Sequence, residues 1–202
     1  VTEWAYDGFG RKIQETRADG TKTFWQYLSC DASCPSPNGA YMMAIQEVYG
    51  AGNTQAAPAR VEYYDRLNRK LRSAVQGFAA SGAAPWIYTN TRYDNQGRVA
   101  FVTQPYYLGD TSYKTVYQYD ALGRIEKIFE PNAPSVAALT VAYNGLTITR
   151  TNRNNQSTTE TLNSQGAKLA VTDALAKTTT YRYDAFGNLR QVFNPNNALE
   201  SN

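Results

Sequence analysis

Tyr119-Asp120-Ala121-Leu122-Gly123-Arg124 decides how this chain is read, because the chain keeps returning to it. The same pattern stands at Tyr6-Asp7-Gly8-Phe9-Gly10-Arg11, Tyr64-Asp65-Arg66-Leu67-Asn68-Arg69 and Tyr93-Asp94-Asn95-Gln96-Gly97-Arg98. It returns at Tyr183-Asp184-Ala185-Phe186-Gly187-Asn188, and in worn form at Leu162-Asn163-Ser164-Gln165-Gly166-Ala167. Recurrence at intervals of a few tens of residues means one supersecondary unit repeated.

Each unit reads as a β-hairpin. Thr115-Val116-Tyr117-Gln118-Tyr119 is β-branched and aromatic, and Arg124 to Phe129 continues without a helical period. Asp120 suits the opening of the turn, where a carboxylate accepts a nearby backbone N–H. Gly123 suits a position of positive φ, as in a type I turn closed by a G1 bulge. Asn68 replaces that glycine in one copy, and asparagine tolerates the left-handed region better than most residues. Phe9, Leu67, Leu122 and Phe186 precede this position and are expected to cover the hairpin tip, a pattern that Gln96 breaks. Arg11, Arg69, Arg98 and Arg124 follow it, placed for a charge-assisted contact with the Asp across the turn. Exposed pairs of that kind stabilise little, so these turns read first as architecture.

Repeated Tyr-Asp-x-x-Gly-Arg turns of this kind resemble the YD repeats of the RHS family. That family includes bacterial Rhs proteins, C components of insecticidal Tc toxins, wall-associated bacterial toxins and animal teneurins. The resemblance extends over nearly the whole chain. It implies a long antiparallel sheet of hairpins that spirals into a hollow shell, enclosing a C-terminal toxin or, in teneurins, supporting adhesion. Full-length relatives also carry an autoprotease element with an Asp-Pro signature. No such dipeptide occurs here, so no proteolytic residue is carried over.

Composition agrees with an open sheet more than with a dense core. The 202 residues are 42% hydrophobic, but 16 of them are tyrosine, and mean hydropathy is −0.55. The net charge of +3 and the lack of any Lys/Arg run give no nucleic-acid footprint. No apolar run approaches the length needed to span a bilayer as a helix. The chain enters almost directly into a repeat and has no closing element, so it reads as one YD-repeat segment, 1–202, of a larger protein that is secreted or held at the cell surface.

Cys30 and Cys34 are the only cysteines and lie in an irregular Cys/Pro insertion at about 28–40. Three residues separate them, unlike a redox C-x-x-C, and without histidine a metal site lacks ligands. A local disulfide is the expected use, with free thiols the alternative. A disulfide would fit an exported protein.

Further along the chain, Asp19-Gly20 reads as a two-residue turn, and Tyr41 to Tyr49 as a strand in preference to a helical face. Gln76 to Pro85 and Tyr106 to Ser112 read as connections. Asn144-Gly145 is a hairpin signal, and Pro195 ends the last hairpin. Asn155-Gln156-Ser157 matches a glycosylation sequon once and reads as a polar turn. The expectation is an all-β antiparallel meander with little or no helix.

No catalytic constellation emerges: no histidine offers a base, and the acidic residues sit mostly at turn openings. No cofactor or metal is implied and the chain reads as non-enzymatic. Two classes remain. The first is a shell segment, partnered by the rest of its shell and a toxin or effector domain, with self-association through strand edges. The second is an extracellular adhesion or carbohydrate- or protein-binding module that uses exposed Tyr and Trp, with Trp4, Trp25 and Trp86 as candidates.

Overall fold

The computed structural model describes residues 1–30, 34, 39–78, 84–131 and 133–196, and 199–201 in backbone only. No helix occurs among the described residues, and every strand pairing within the two units described below is antiparallel. The chain falls into two compact units, Val1–Lys114 and Thr115–Asn202.

The first unit runs through β1 (Glu3–Tyr6), β2 (Lys12–Thr16), β3 (Lys22–Ser29), β4 (Met42–Tyr49), β5 (Gln55–Tyr64), β6 (Lys70–Gln76) and β7 (Trp86–Tyr93). Each strand pairs with the next, as hairpins demand. Beyond β7 come β8 (Val99–Thr103) and a two-residue β9 (Tyr106–Tyr107), both paired with β7. Pro105, which cannot donate to a ladder, stands between them. The stretch expected to be a plain connection from Tyr106 therefore begins as a strand. Residues 79–83 of the other expected connection lie outside the described residues.

The ambiguous stretch from Tyr41 is strand β4, and register explains why. Met43 stands opposite Tyr63 and Ile45 opposite Val61, while Val61 faces Ala74 and Ala74 faces Tyr88. Side chains alternate across a strand, so one face carries this whole row. Val61, Tyr63 and Ala74 are buried there, with Met43, Ile45, Trp86, Tyr88, Ala40 and both cysteines packed against them. Burying a valine contributes about 1.5–3 kcal/mol, an interest that a helix at 41–49 would forfeit.

The second unit is an unbroken meander: β10 (Lys114–Tyr119), β11 (Ile125–Phe129), β12 (Leu139–Asn144), β13 (Thr147–Asn152), β14 (Ser157–Leu162), β15 (Lys168–Thr172), β16 (Thr178–Tyr183), β17 (Leu189–Phe193) and β18 (Leu199–Ser201). Pro195 follows the end of the β16–β17 hairpin, and one further strand, β18, pairs with β17 beyond it. Only Val141 is buried among its described hydrophobic residues. One face of β12–β16 is a field of threonines, because Thr149 stands opposite Thr159, Thr159 opposite Thr172, and Thr172 opposite Thr178. Their hydroxyls bond across strands at 3.3 Å (Thr149–Thr159) and 2.8 Å (Thr172–Thr178). Sheet pairs of this type stabilise a wall without a dense core.

Candidate functional site

One turn geometry closes ten hairpins among the described residues. They open at Asp7, Arg17, Gly50, Asp65, Asp94, Asp120, Asn152, Asn163, Asp173 and Asp184. In each, the first residue's N–H donates to the carbonyl of the fifth, and the fourth residue's N–H donates back to the first carbonyl. The fourth position always has positive φ. It is Gly10, Gly20, Gly97, Gly123, Gly166 or Gly187 in six turns and Asn53, Asn68, Asn155 or Ala176 in four, with φ from 56 to 83°. In the Tyr-Asp hairpins the register slips one residue at the tyrosine, as between Gln118 and Tyr119 or Arg92 and Tyr93. These ten turns are thus type I turns closed by a G1 bulge, whereas β12 and β13 are joined by the two-residue turn Gly145-Leu146 that Asn144-Gly145 signals.

Three consequences concern turns that the sequence alone left unread or misread. Asp19-Gly20 does not form a two-residue turn; Arg17 to Thr21 adopts the common geometry, with Gly20 in its fourth position. The worn copy at Asn163 is geometrically intact. Asn152 and Asp173 open further copies without a preceding tyrosine, and the Asn155 sequon lies inside the first of them.

The opening side chain is what the turn asks of aspartate. Asp120 Oδ1 accepts the N–H of Leu122 at 3.0 Å and of Arg124 at 2.9 Å. Asp7, Asp65, Asp94, Asp173 and Asp184 repeat this, and Asn152 and Asn163 do so with a carboxamide oxygen. Oδ2 remains for the arginine. The Arg11, Arg69, Arg98 and Arg124 guanidinium groups each grip their Asp through Nε and Nη2 at 2.7–2.8 Å. In the Asp184 turn, Asn188 takes the fifth position and Arg190 supplies the guanidinium from two residues on.

These contacts set the titration of the carboxylates. Desolvation pulls the Asp7, Asp65, Asp94 and Asp120 carboxyls upward, but the backbone N–H groups and the arginine outweigh it, leaving each below its ordinary value. The Asn188 carboxamide, then the Asn188 N–H, lowers Asp184. On β5, burial and the neighbouring Glu62 carboxylate push the Tyr64 phenol up to about 12. Its hydroxyl donates to that carboxylate.

The arginine has a second partner which the sequence did not disclose. Arg11 lies over the Tyr27 ring at 4.3 Å, Arg69 over Tyr93 at 4.6 Å and Arg124 over Tyr143 at 3.9 Å. Each of these tyrosines donates its hydroxyl to the carbonyl that follows that arginine: Lys12 at 3.3 Å, Lys70 at 3.1 Å and Ile125 at 3.1 Å. A turn is thereby bolted to a strand beyond its own hairpin. Tyr27 and Tyr143 belong to no Tyr-Asp pair, so no local motif marks them. Tyr93 is both the clamp for Arg69 and the first residue of the next Tyr-Asp turn.

The turn-tip hydrophobics correct an expectation. Phe9, Leu67, Leu122 and Phe186 do not cover the tips; they are 72–90% exposed, and Leu175 joins them at 76%. The third turn position stays exposed even where the hairpin offers a partner: the Arg11 guanidinium lies 5.3 Å from the Phe9 ring centre without burying it. The tryptophans divide. Trp86 packs into the first unit's apolar cluster, Trp4 is 54% exposed, and Trp25 stands half-buried on the opposite face from Trp86. Cys30 and Cys34 are joined as a disulfide with Cα atoms 5.1 Å apart, and residues 31–33 and 35–38 of the insertion lie outside the described residues. The described residues contain no group of three or more His, Cys, Asp or Glu side chains fit to hold a metal, and no helix long and apolar enough to cross a membrane.

Comparison with known proteins agrees with this geometry. The RHS repeat family model matches residues 163–196, from the Asn163 turn through the Asp173 and Asp184 turns. Among solved structures, the crystal structure of TcdB2-TccC3 without its hypervariable C-terminal region aligns with 96% of this chain and 16% of its own, at TM-score 0.67 and 13% identity. A Photorhabdus luminescens Tc holotoxin pore structure aligns with 80% of this chain and 10% of its own, at TM-score 0.64 and 16% identity. The crystal structure of TcdB2-TccC3 aligns with 96% and 14%, at TM-score 0.61 and 15% identity. At such identities the likeness is one of fold, and the chain spans about a tenth to a sixth of these chains. No curated protein matches the sequence. Residues 163–196 thus carry a recognised RHS repeat, and the chain has the fold of the Tc-toxin structures.

Proposed function

We propose that this chain is a non-catalytic wall segment of an RHS-repeat β-shell that encloses or presents a toxin or effector domain of a secreted or surface-held toxin. The observation that carries the proposal is the turn set. Ten hairpins share one geometry, and clamps of Asp, Arg and Tyr fasten turns to later strands, while few side chains are buried. That is the construction of a sheet stiffened from its rim, suited to a wall with polar surroundings on both sides. Its partners are the remainder of the shell and the enclosed domain.

Protease protection in the full-length parent tests this. A domain following the shell should resist limited proteolysis in the intact protein and become cleavable when residues 115–202 are deleted. Equal susceptibility in both proteins refutes enclosure. The isolated chain should self-associate through strand edges and its exposed apolar tips, so light scattering over a concentration series should show mass rising with concentration. A strictly monomeric chain argues for a self-sufficient module, the adhesion or ligand-binding alternative that the exposure of Trp4 and Tyr6 favours.

A further inference from the structure

One face of the first unit carries a small cavity unrelated to the turns. It measures about 140 Å³ and is lined by Trp25, Ala44, Gln46, Arg60 and Glu62, with Ile45 contributing at its floor. Register explains its shape. Trp25, Gln46 and Arg60 stand opposite one another across β3, β4 and β5, forming one row. Tyr27, Ala44 and Glu62 form the next row. The second row has a gap at its centre, because Ala44 has only a methyl group between two long neighbours. Strands β3 and β5 lie about 9–10 Å apart, two inter-strand spacings, which leaves room for one ring between the indole and the groups on β5.

The chemistry of the walls is specific. Lys12 comes from β2 and holds its ammonium over the Trp25 ring, 5.1 Å from the ring centre. An indole face is electron-rich and attracts the polarised C–H face of a saturated ring, and Trp25 lines the cavity beside Ala44. Glu62 is already engaged by Lys70 and by the Tyr64 hydroxyl, which fixes its carboxylate in place. Arg60 makes no ion pair among the described residues, although its charge is felt by Glu62. An exposed guanidinium is a planar fork matched to a carboxylate. Gln46 adds a carboxamide able both to donate and to accept.

We infer that this cavity binds an acidic pyranose, a uronic-acid ring, stacked on Trp25 with its carboxylate on Arg60 and its hydroxyls on Gln46 and Glu62. The site lies wholly within Val1–Lys114 and does not depend on the shell reading. So small and open a site should bind a single ring only at about millimolar affinity, since few atoms are in contact.

The test is a titration of tryptophan fluorescence in the 202-residue chain with glucuronate, glucose and acetate. Glucuronate should give a saturable change, and glucose and acetate should bind at least about tenfold more weakly, because each lacks one half of the recognition. Ala44→Leu fills the cavity without removing a polar group and should abolish the change. Arg60→Gln should reduce glucuronate to the level of glucose, and Trp25→Phe should remove the optical signal. No saturable change with glucuronate overturns the proposal. So does acetate binding as well as glucuronate, which marks an anion site only, or full glucuronate binding by Arg60→Gln. If Ala44→Leu loses its β-sheet circular dichroism, the exposed Arg60→Gln variant decides alone.

Discussion

Removing the Tyr143 side chain should detach a turn from a strand, and the cost can be worked from two contacts. The Tyr143 hydroxyl donates to the Ile125 carbonyl at 3.1 Å, and the Arg124 guanidinium lies 3.9 Å from the ring centre. A net hydrogen bond contributes about 0.5–1.5 kcal/mol, and a cation over a part-exposed ring about 0.5–1 kcal/mol. Tyr143→Phe removes only the first and should cost about 1 kcal/mol. Tyr143→Leu removes both and should cost about 1–2.5 kcal/mol. Equilibrium urea unfolding followed by circular dichroism measures each. A double-mutant cycle with Arg124→Met isolates the ring contact and should return a coupling of about 0.5–1 kcal/mol. If the cycle closes with no coupling while both single variants are destabilised, the arginine and the tyrosine act separately, and the clamp is refuted.

Other variants probe the turns. Ala176 holds φ of 60°, a region costing a non-glycine residue about 1–2 kcal/mol, so Ala176→Gly should raise the urea midpoint despite added chain entropy; an unchanged or lowered midpoint contradicts the strain. Gly123→Val places a β-branched residue at φ of 80° and should cost about 1–3 kcal/mol by the same measurement. The Asp7, Asp65, Asp94, Asp120 and Asp184 carboxyls titrate below their ordinary 3.8 in the folded chain. The stability they contribute is therefore complete above that value and is lost as pH falls through the lower folded values. Asp120→Asn keeps the backbone acceptor, as Asn152 and Asn163 do, and should flatten the acid limb of the stability curve; an unaltered limb refutes the assignment. Alkylation of native protein without reductant should leave the mass unchanged if Cys30 and Cys34 are paired, and two added alkyl groups show free thiols.

What the sequence disclosed and what it hid follow from how far each cause reaches along the chain. Gly123 stands three positions after Asp120, so backbone geometry alone dictates them, and the turn is legible wherever both residue types appear. Ala176 holds the same φ with a side chain that signals nothing, and its turn shows itself only when Asp173 is seen accepting the N–H of Leu175 and Lys177. The exposure of Phe9 and Phe186 is hidden for a related reason: an apolar side chain at a tip suggests cover, but the tip stays open to solvent, and even the Arg11 guanidinium over the Phe9 ring does not bury it. The clamps are harder still. Arg11 meets Tyr27, Arg69 meets Tyr93 and Arg124 meets Tyr143, at separations of 16, 24 and 19 residues set by the length of the intervening strands and loops. No fixed spacing exists for a pattern to find, although every instance has one physical requirement. A tyrosine must stand where its hydroxyl reaches the carbonyl after the arginine, and its ring then lies beneath the guanidinium. Of the tyrosines that begin Tyr-Asp turns, Tyr93 is such a fastener for the preceding Arg69 turn, while Tyr27 and Tyr143 serve the same purpose from outside any Tyr-Asp pair.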